Sequence, residues 1–396
     1  MENKRRSIFI IFSKLADYCA HLVLLSKISE LYSCLNLIER KSVNIINQKD
    51  ISRILIDWYQ ENMRSLPWRE TNDSYKIWVS EVILQQTRVA QGLNYYLNFI
   101  EKFPTVHVLA ESSEKEVLKA WQGLGYYSRA RNLHTGAKSV VALYKGKLPD
   151  THKEILTIKG IGTYTAAAVL SIAYNKPYAV VDGNVYRVLS RLFAIDTPID
   201  TTVGKKQFAK LADSLLDENR PGMHNQAVME LGALCCTPSQ PLCNTCPLQR
   251  LCEAKYLNMQ SEFPVKSKKV KVTKRFLHYF YIKYEGHTYL NKRKGNDIWK
   301  NMYEFPLIET SKDTDLADLM DTDLFKTMFN ETQIVIHSVS NKIKHMLTHQ
   351  HLFAKFYVVE VLKSDAFLTK SYLKINETDI SLYPISRLIH RYLGEK

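Results

Sequence analysis

The amino-acid sequence predicts a multidomain protein in which an all-α core is followed by a small α+β domain. Apolar residues recur at helical spacing almost throughout residues 51–257. A basic linker is predicted over residues 258–275, and short runs of strand character follow it over residues 276–396. With 396 residues, the chain is long enough for two or three domains that each bury a core. Residues 1–50 are an N-terminal extension to which no domain is assigned.

The predicted core consists of helices, several of them joined by short turns that contain glycine and proline. Ser74 is the predicted cap of one long helix whose apolar residues run from Val79 to Ile100. Further helices are predicted at residues 114–120, 130–144, 153–158, 164–174, 185–193, 204–217 and 225–235. No strand-like alternation of useful length occurs among them, so the region is predicted to be all-α.

The composition and the apolar pattern of the chain change near residue 260. Six of the twelve residues at 264–275 are basic and none is acidic, which indicates a solvated linker or a segment that follows phosphates. Strands are predicted after it at residues 276–284, 287–291, 333–338 and 353–361, with a helix at 313–329. This alternation predicts the α+β domain.

The charge balance and the cysteines restrict the class of protein. Lysine and arginine number 54 against 40 acidic residues, a net charge of +14 that favours nucleic acid over a membrane as partner. The most apolar stretch, near residue 10, is too short to span a bilayer and lacks a clean signal-cleavage site. Five of the seven cysteines crowd into residues 235–252, which argues against secreted disulfides. We expect a cytoplasmic protein that is not membrane-bound.

Four of these cysteines, Cys236, Cys243, Cys246 and Cys252, follow the spacing C-x6-C-x2-C-x5-C. So short a loop lets four sulfurs converge on one centre, either a structural zinc ion or a [4Fe–4S] cluster. The unequal spacing departs from the paired C-x2-C knuckles of zinc ribbons and favours the cluster. Cys235 is left over and is predicted to pack as a small apolar side chain.

A glycine hairpin and a carboxylate follow each other in the core. Gly160 and Gly162 lie between a short and a long predicted helix, where a tight turn exposes backbone N–H groups that can receive a phosphate. Asp182 comes about twenty residues later, at the mouth of the next helix. A carboxylate there is more often a helix cap than a catalyst.

These features together resemble the helix-hairpin-helix DNA glycosylase superfamily, and further motifs resemble its MutY-type adenine glycosylase branch. Those motifs are Leu66-Pro67-Trp68-Arg69, Trp78-Val79-Ser80-Glu81-Val82-Ile83-Leu84-Gln85-Gln86-Thr87, Gly123-Leu124-Gly125-Tyr126-Tyr127-Ser128-Arg129-Ala130-Arg131-Asn132-Leu133 and Glu230-Leu231-Gly232-Ala233-Leu234. The likeness runs from about residue 51 to the C-terminus and is strongest over 66–252. It implies a six-helix part at about 71–184 and a cluster-bearing part built from 51–70 and 185–257.

The resemblance implies roles for four residues. Glu81 matches the general acid that protonates adenine, and burial must raise its pKa for that task near neutral pH. Asp182 matches the aspartate that stabilises the oxocarbenium-like sugar, and Asn184 matches a residue that orients the site. Tyr164 lies where bifunctional relatives carry a lysine; because a phenol cannot form a Schiff base, the resemblance implies a monofunctional enzyme.

The resemblance also implies a flipped adenine and contacts to the opposite base. Four residues match family positions that insert into the base stack around the guanine partner of the adenine: Gln86, Thr87, Leu124 and Tyr126. The alternative for Leu124 and Tyr126 is that they only pack between helices. The residues that match the lining of the adenine pocket are Trp68, Arg69 and Gln226.

The C-terminal part resembles the Nudix-like domain of MutY, with Leu290-Asn291-Lys292-Arg293 and the segment Ile298-Trp299-Lys300-Asn301-Met302-Tyr303-Glu304-Phe305-Pro306. It lacks the glutamate-rich box that holds Mg²⁺ in Nudix hydrolases, so we expect it to bind and not to hydrolyse. Leu347-Thr348-His349 is similar to a Phe-Ser-His loop of the MutY family, which contacts 8-oxoguanine. Thr348 retains the hydroxyl, whereas Leu347 replaces the phenylalanine.

The resulting expectation is a monomeric adenine DNA glycosylase that acts on A:8-oxoguanine or A:G mismatches in double-stranded DNA. One alternative is an endonuclease III-like glycosylase and lyase for oxidised pyrimidines, which Tyr164 and the Nudix-like domain oppose. Another is a catalytically silent DNA-binding iron–sulfur protein, which the presence of both Glu81 and Asp182 opposes.

Overall fold

The structure, a computed structural model, describes residues 48–267, 271–329, 332–363 and 366–394. Almost all of the predicted N-terminal extension lies outside the described residues. Within the described ranges, none of the helices combines the length and the apolar character needed to cross a bilayer.

The described part of residues 48–257 is helical, as predicted. Its α-helices are α1 Gln48–Asn62, α2 Ser74–Leu84, α3 Val89–Lys102, α4 Val106–Glu111, α5 Glu114–Ala120, α6 Ser128–Tyr144, α7 His152–Ile155, α8 Thr163–Tyr174, α9 Gly183–Leu192, α10 Thr202–Leu215, α11 Pro221–Leu234 and α12 Glu253–Tyr256. The prediction for residues 114–120 is confirmed to the residue. The helix predicted from 225 begins four residues earlier, because Pro221 occupies its first turn, where proline is well tolerated.

The single long helix predicted from Ser74 to Ile100 is wrong. The chain forms two helices, α2 and α3, because the backbone at Gln86 adopts a left-handed φ of 56° that no α-helix can continue through. The cap of α2 is Asp73 and not Ser74, since the Asp73 carboxylate accepts hydrogen bonds from the N–H groups of Tyr75 and Lys76. Both helices bury apolar residues at helical spacing, so the sequence pattern alone does not show the break between them.

Two apolar clusters hold the helical region together. One surrounds α2 and contains Trp78, Phe99 and Trp121, all fully buried. The other joins α1 to the later helices through residues such as Leu55 and Phe208. The pocket described below lies where α2, α8, α9 and α11 approach one another.

The C-terminal region is a mixed sheet with flanking helices, as predicted for an α+β domain. Its strands are β1 Thr273–Tyr284, β2 His287–Lys292, β3 Tyr303–Glu304, β4 Leu307–Thr310, β5 Ile334–Val339, β6 Ile343–Met346, β7 Gln350–Val361 and β8 Leu373–Asn376. Its α-helices are α13 Leu316–Met320, α14 Asp323–Phe329, α15 Ala366–Ser371 and α16 Arg387–Gly394. The helix predicted at 313–329 is therefore two helices.

The sheet is organised around its two longest strands. Strands β1 and β7 are parallel and pair from Thr273↔Gln350 to Lys283↔Glu360, whereas the other strand pairs are antiparallel. The main strand order is β3-β2-β1-β7-β5. Strand β1 includes Thr273, Lys274 and Arg275, the last three residues of the predicted basic linker. The loop between β6 and β7 carries Thr348, at the side of the domain that faces the helical core.

Candidate active site

A pocket of about 150 Å³ opens in the helical core. Glu81 enters it from α2, Tyr164 from α8, and Asp182 and Asn184 from the start of α9. The residues that the sequence predicted for the adenine pocket, Trp68, Arg69 and Gln226, line the same space. Residues far apart in the chain are thus brought together around one cavity.

Glu81 is the buried acid of this pocket, with 7% of its surface exposed. Burial raises the pKa of its carboxyl to about 7, and the nearby Asp182 adds to the rise. The Tyr164 hydroxyl donates a hydrogen bond to Glu81 Oε2 at 2.5 Å and acts in the opposite direction. A carboxyl group with this pKa can hold and deliver a proton near neutral pH.

Asp182 is both the cap of α9 and a wall of the pocket. Its Oδ1 accepts the Val185 N–H at 2.7 Å, and its Oδ2 accepts the Asn184 side-chain amide at 2.9 Å. Burial raises the pKa of Asp182 above its usual value, and these hydrogen bonds, which favour the ionised form, offset only part of that rise. The two carboxyl groups therefore differ in their hydrogen bonds: Glu81 accepts one from a phenol, whereas Asp182 accepts from N–H groups of Val185 and Asn184.

Tyr164 places a phenol in the pocket beside Glu81. Burial and the two neighbouring carboxyl groups raise its pKa well above the usual value, so the hydroxyl keeps its proton. Besides Glu81, the hydroxyl contacts Met229 Sδ at 3.6 Å. The side chain can position a proton on Glu81, but it offers no amine for a covalent adduct.

A buried ion network that the sequence did not predict forms the back of the pocket. Glu230 is 1% exposed and binds two arginines, with Arg64 Nη2 at 2.5 Å and Arg69 Nη2 at 2.7 Å from its Oε2. Burial would raise the pKa of Glu230, but the hydrogen bonds from both arginines outweigh it and lower the pKa to about 2. The ion pair fixes Arg69, and Tyr59 fixes Gln226 by donating a hydrogen bond to its Oε1 at 2.9 Å.

The sequence carried one signal for this network. Glu230 begins one of the motifs that resemble the adenine glycosylases, although the resemblance implies no role for it. An acidic residue inside an otherwise apolar helix is seldom buried unless it is paired. Its partner Arg64 lies 166 residues away in the chain, and nothing in the local pattern identifies it.

The predicted glycine hairpin is present and exposed. Gly160 has a left-handed φ of 89°, and a Cβ there would come within 2.9 Å of Asn132 Cβ, so glycine is required both for the turn and for the contact with α6. Gly162 is the cap residue of α8 and is exposed. This geometry leaves backbone N–H groups of a twelve-residue helix open to an anion.

The predicted wedge residues lie on two neighbouring loops. Gln86 and Tyr126 both adopt left-handed backbone conformations and are both exposed, Tyr126 by 47%. Thr87 is half-buried. Leu124 is only 7% exposed and belongs to the apolar core, and it also lines the groove described below, so its contact with DNA stays a prediction.

Arg129 joins those two loops. Its Nη1 donates to the carbonyl oxygens of Val82 and Ile83 at 2.9 and 3.0 Å and also to that of Gln85. Its Nη2 donates to the Gly125 carbonyl at 3.2 Å. Burial lowers the pKa of this guanidinium to about 10. One side chain thus ties the last turn of α2 to the loop that carries Tyr126.

A second cavity, which we call the interdomain groove, lies between the core and the C-terminal domain. It measures about 500 Å³ and is lined by Leu124, Gly125, Tyr126, Tyr127, Ser128, Arg131, Asp297, Ile298, Trp299, Met346, Leu347, Thr348, His349 and Gln350. The hydroxyl groups of Tyr126 and Thr348 are hydrogen-bonded across it at 2.7 Å. Thr348 and His349 are exposed in the groove, so candidate contact residues from both domains meet there.

The four predicted cysteine ligands line one cleft together with Arg191 and Lys255. Arg191 Nη1 lies 3.4 Å from Cys236 Sγ, so positive charge is at hand for thiolates. Among the described residues, no three metal-binding side chains converge as ligands of a single ion. Cys235 lines the same cleft, and it is buried and packs in the neighbouring apolar cluster, as predicted.

Comparisons with known proteins match one family to the helical core and another to the C-terminal domain. The model of the HhH-GPD superfamily of base excision DNA repair proteins matches residues 79–213, and that of the NUDIX domain matches residues 278–395. An adenine DNA glycosylase of Buchnera aphidicola subsp. Baizongia pistaciae is 34% identical over 301 residues, 76% of this chain and 83% of the relative.

Two longer relatives match a smaller share of their own length. The adenine DNA glycosylase of Homo sapiens is 46% identical over 210 residues, which cover 51% of this chain and 38% of the human protein. That of Arabidopsis thaliana is 38% identical over 303 residues, which cover 66% of this chain and 48% of the plant protein. The matched segments therefore span less than half of these two relatives.

Proposed function

The chain belongs to the adenine DNA glycosylase family, a family of DNA N-glycosylase hydrolases, and we propose that it excises adenine paired with 8-oxoguanine or guanine in double-stranded DNA. This would be a step of base excision repair. The observation that carries the proposal is the pairing of a buried acid, Glu81, with the hydrogen-bonded carboxylate of Asp182 in one pocket.

The chemistry of adenine removal needs these two groups in different protonation states. The adenine leaves only if its ring is protonated, and Glu81, with a pKa of about 7, is the donor. The sugar then carries positive charge, which the ionised Asp182 stabilises or transiently captures while Asn184 holds it in place. Water completes the hydrolysis, and no bond of the DNA backbone is broken.

Adenine inside a duplex cannot reach this pocket, so the nucleotide must be flipped out of the stack. We assign the lining residues Trp68, Arg69 and Gln226 to the flipped base. The exposed hairpin at Gly160 and Gly162 would receive a backbone phosphate on its N–H groups. The exposed Gln86 and Tyr126, with Thr87 beside them, would fill the space around the opposite base.

We further propose that the interdomain groove reads the opposite base. Adenine is the same base opposite thymine or 8-oxoguanine, so discrimination must come from the partner strand or from the lower cost of unpairing a mismatch. Thr348 and His349 offer hydrogen-bonding groups there. A good bidentate pair of hydrogen bonds to a base edge gives about ten- to a hundredfold discrimination.

The excision assay tests the proposal against both alternatives. With A:8-oxoguanine and A:G duplexes the protein should release adenine, and the strand should stay intact until alkali is added. Borohydride should trap little covalent complex, because Tyr164 provides no amine. Efficient trapping and strand cleavage without alkali would point to the endonuclease III-like alternative, and duplex binding with no excision would point to a silent binding protein.

We propose that Cys236, Cys243, Cys246 and Cys252 hold one [4Fe–4S] cluster. Four thiols are the donor set that such a cluster requires, and these four line one cleft with Arg191 and Lys255, whose charges would offset thiolates and a cluster. The cluster would cross-link the chain after α11 and so stabilise the surface formed by residues 225–257. The carboxyl chemistry described above does not pass through it.

Metal analysis of the purified protein tests the cluster. We expect about four iron atoms per chain and little zinc. Cys243→Ser should lose iron and weaken DNA binding before it affects excision, whereas Cys235→Ser, a change at the neighbouring non-ligand cysteine, should keep its iron. Stoichiometric zinc in anaerobically prepared protein from the native host would contradict the proposal.

A further inference from the structure

The C-terminal domain contacts the core through side chains that the proposed reaction does not use. Asn301 Nδ2 donates a hydrogen bond to Glu114 Oε1, at the start of α5, at 2.7 Å. Arg131 of α6 donates from Nη1 to the Lys300 carbonyl at 2.9 Å. Glu114 and Asn301 are both half-buried, so their contact is partly shielded from water.

The loop that carries Asn301 is held rigidly by its own domain. The Asn301 N–H donates to the Arg293 carbonyl at 2.7 Å, and the Met302 N–H donates to the Trp299 carbonyl at 3.0 Å. Asn301 itself has a left-handed φ of 65°. Trp299 and Met302 are buried. The loop therefore presents Lys300 and Asn301 to the core in fixed positions.

A second contact lies farther along the same face. The Ile385 N–H donates to Gln122 Oε1 at 3.4 Å, and Lys115 Nζ lies 3.7 Å from the centre of the Tyr383 ring. One cluster of buried apolar side chains includes members of both domains. The docking thus rests on several separate contacts, all of them on the α5 and α6 side of the core.

The consequence of this docking is seen in the interdomain groove. Thr348 is exposed and lies on a loop, yet its hydroxyl stands 2.7 Å from that of Tyr126. A loop of a tethered domain can hold such a position only if the domain itself is fixed. The contacts of Asn301 and Arg131, together with those of Ile385 and Tyr383, provide that fixation without touching the active-site pocket.

We propose that Glu114 and Asn301 are positioning residues whose contact docks the C-terminal domain on the core and thereby preforms the interdomain groove for the opposite base. This inference rests on the proposed function. A preformed groove lowers the ordering cost of recognition. Docking should therefore set the preference for 8-oxoguanine and leave the excision chemistry alone.

Asn301→Asp is the variant that tests the contact. Aspartate tolerates the left-handed backbone as asparagine does, but its carboxylate faces Glu114 in place of an N–H donor. Like charges at an interface repel strongly, so the domain should undock. We expect the preference for A:8-oxoguanine over A:G in single-turnover excision to fall about tenfold or more. The radius of gyration measured by X-ray scattering should rise, while the rate on A:G stays unchanged.

Two further variants make the test decisive. Asn258→Asp is the matched control, because the backbone of Asn258 is also left-handed, with a φ of 56°, and the residue is exposed outside this interface. This variant should behave as wild type. Adding Glu114→Gln to Asn301→Asp exchanges donor and acceptor, and should restore both the preference and the compact shape.

The outcomes separate this inference from the proposed function. If Asn301→Asp stays compact with its preference intact, or if the double variant fails to restore it, the positioning role is wrong. If the wild-type protein excises no adenine at all, the proposed function fails instead. Scattering by Asn301→Asp then still decides whether the contact docks the domain.

Discussion

Glu81→Gln should reduce the single-turnover rate of adenine excision by about a thousandfold while leaving duplex affinity largely intact. Glutamine retains an oxygen that accepts the Tyr164 hydrogen bond, so the pocket should keep its shape. It cannot donate the proton that the leaving base needs, and proton donation by a placed acid contributes about a hundred- to ten-thousandfold. A loss confined to the transition state lowers the rate without weakening binding.

The matched control is Glu101→Gln, at an exposed glutamate of the neighbouring helix α3; its rate should equal that of wild type. Retention of excision by Glu81→Gln within about tenfold of wild type would show that Glu81 is not the acid.

The pH dependence of the wild-type enzyme should follow the same carboxyl group. Glu81 must be protonated to act, so the rate should fall as the pH rises through about 7. The Tyr164 hydrogen bond lowers the pKa of Glu81. Tyr164→Phe removes that effect and should move the falling limb to higher pH. An unmoved limb would mean that another group controls it.

Asp182→Asn should be the second severe loss, of about a hundred- to a thousandfold in excision rate, the range seen when a group that stabilises transition-state charge is removed. Asparagine still caps α9, because its side-chain oxygen can accept the Val185 N–H. What disappears is the negative charge beside the sugar. Because Asp182 raises the pKa of Glu81, the falling limb should also move to lower pH, opposite to the effect of Tyr164→Phe.

Asp73→Asn is the matched control, since Asp73 caps α2 in the same way that Asp182 caps α9. It should leave the excision rate unchanged. If the two aspartate variants lost activity equally, helix capping and not charge would explain the Asp182 phenotype.

Much of the fold could be predicted because its signals are local. Each of these signals depends on a few neighbouring residues: the helical spacing of apolar residues, the glycine at position 160 and the change of composition near residue 260. Motifs placed Glu81 and Asp182 in one site, and the structure brings both to one pocket. Their catalytic roles stay predictions that the variants above test.

What could not be predicted depends on contacts between distant residues. The break between α2 and α3 has no glycine or proline to mark it, and the apolar spacing continues across it on both helices. The partners of Glu230 lie more than 160 residues away, and the partner of Asn301 lies 187 residues away. Periodicity describes which face of a helix is buried, but not what covers it.

Arg129 restricts how this enzyme can move. A guanidinium is planar and rigid, and this one holds carbonyl oxygens from the last turn of α2 and from Gly125 at once. One of those carbonyls belongs to Val82, the residue next to Glu81. Tyr126 follows Gly125 directly. If Tyr126 contacts the opposite base as proposed, its displacement would reach the helix that carries Glu81 through Arg129, and the parts of the protein that contact the two DNA strands would move together.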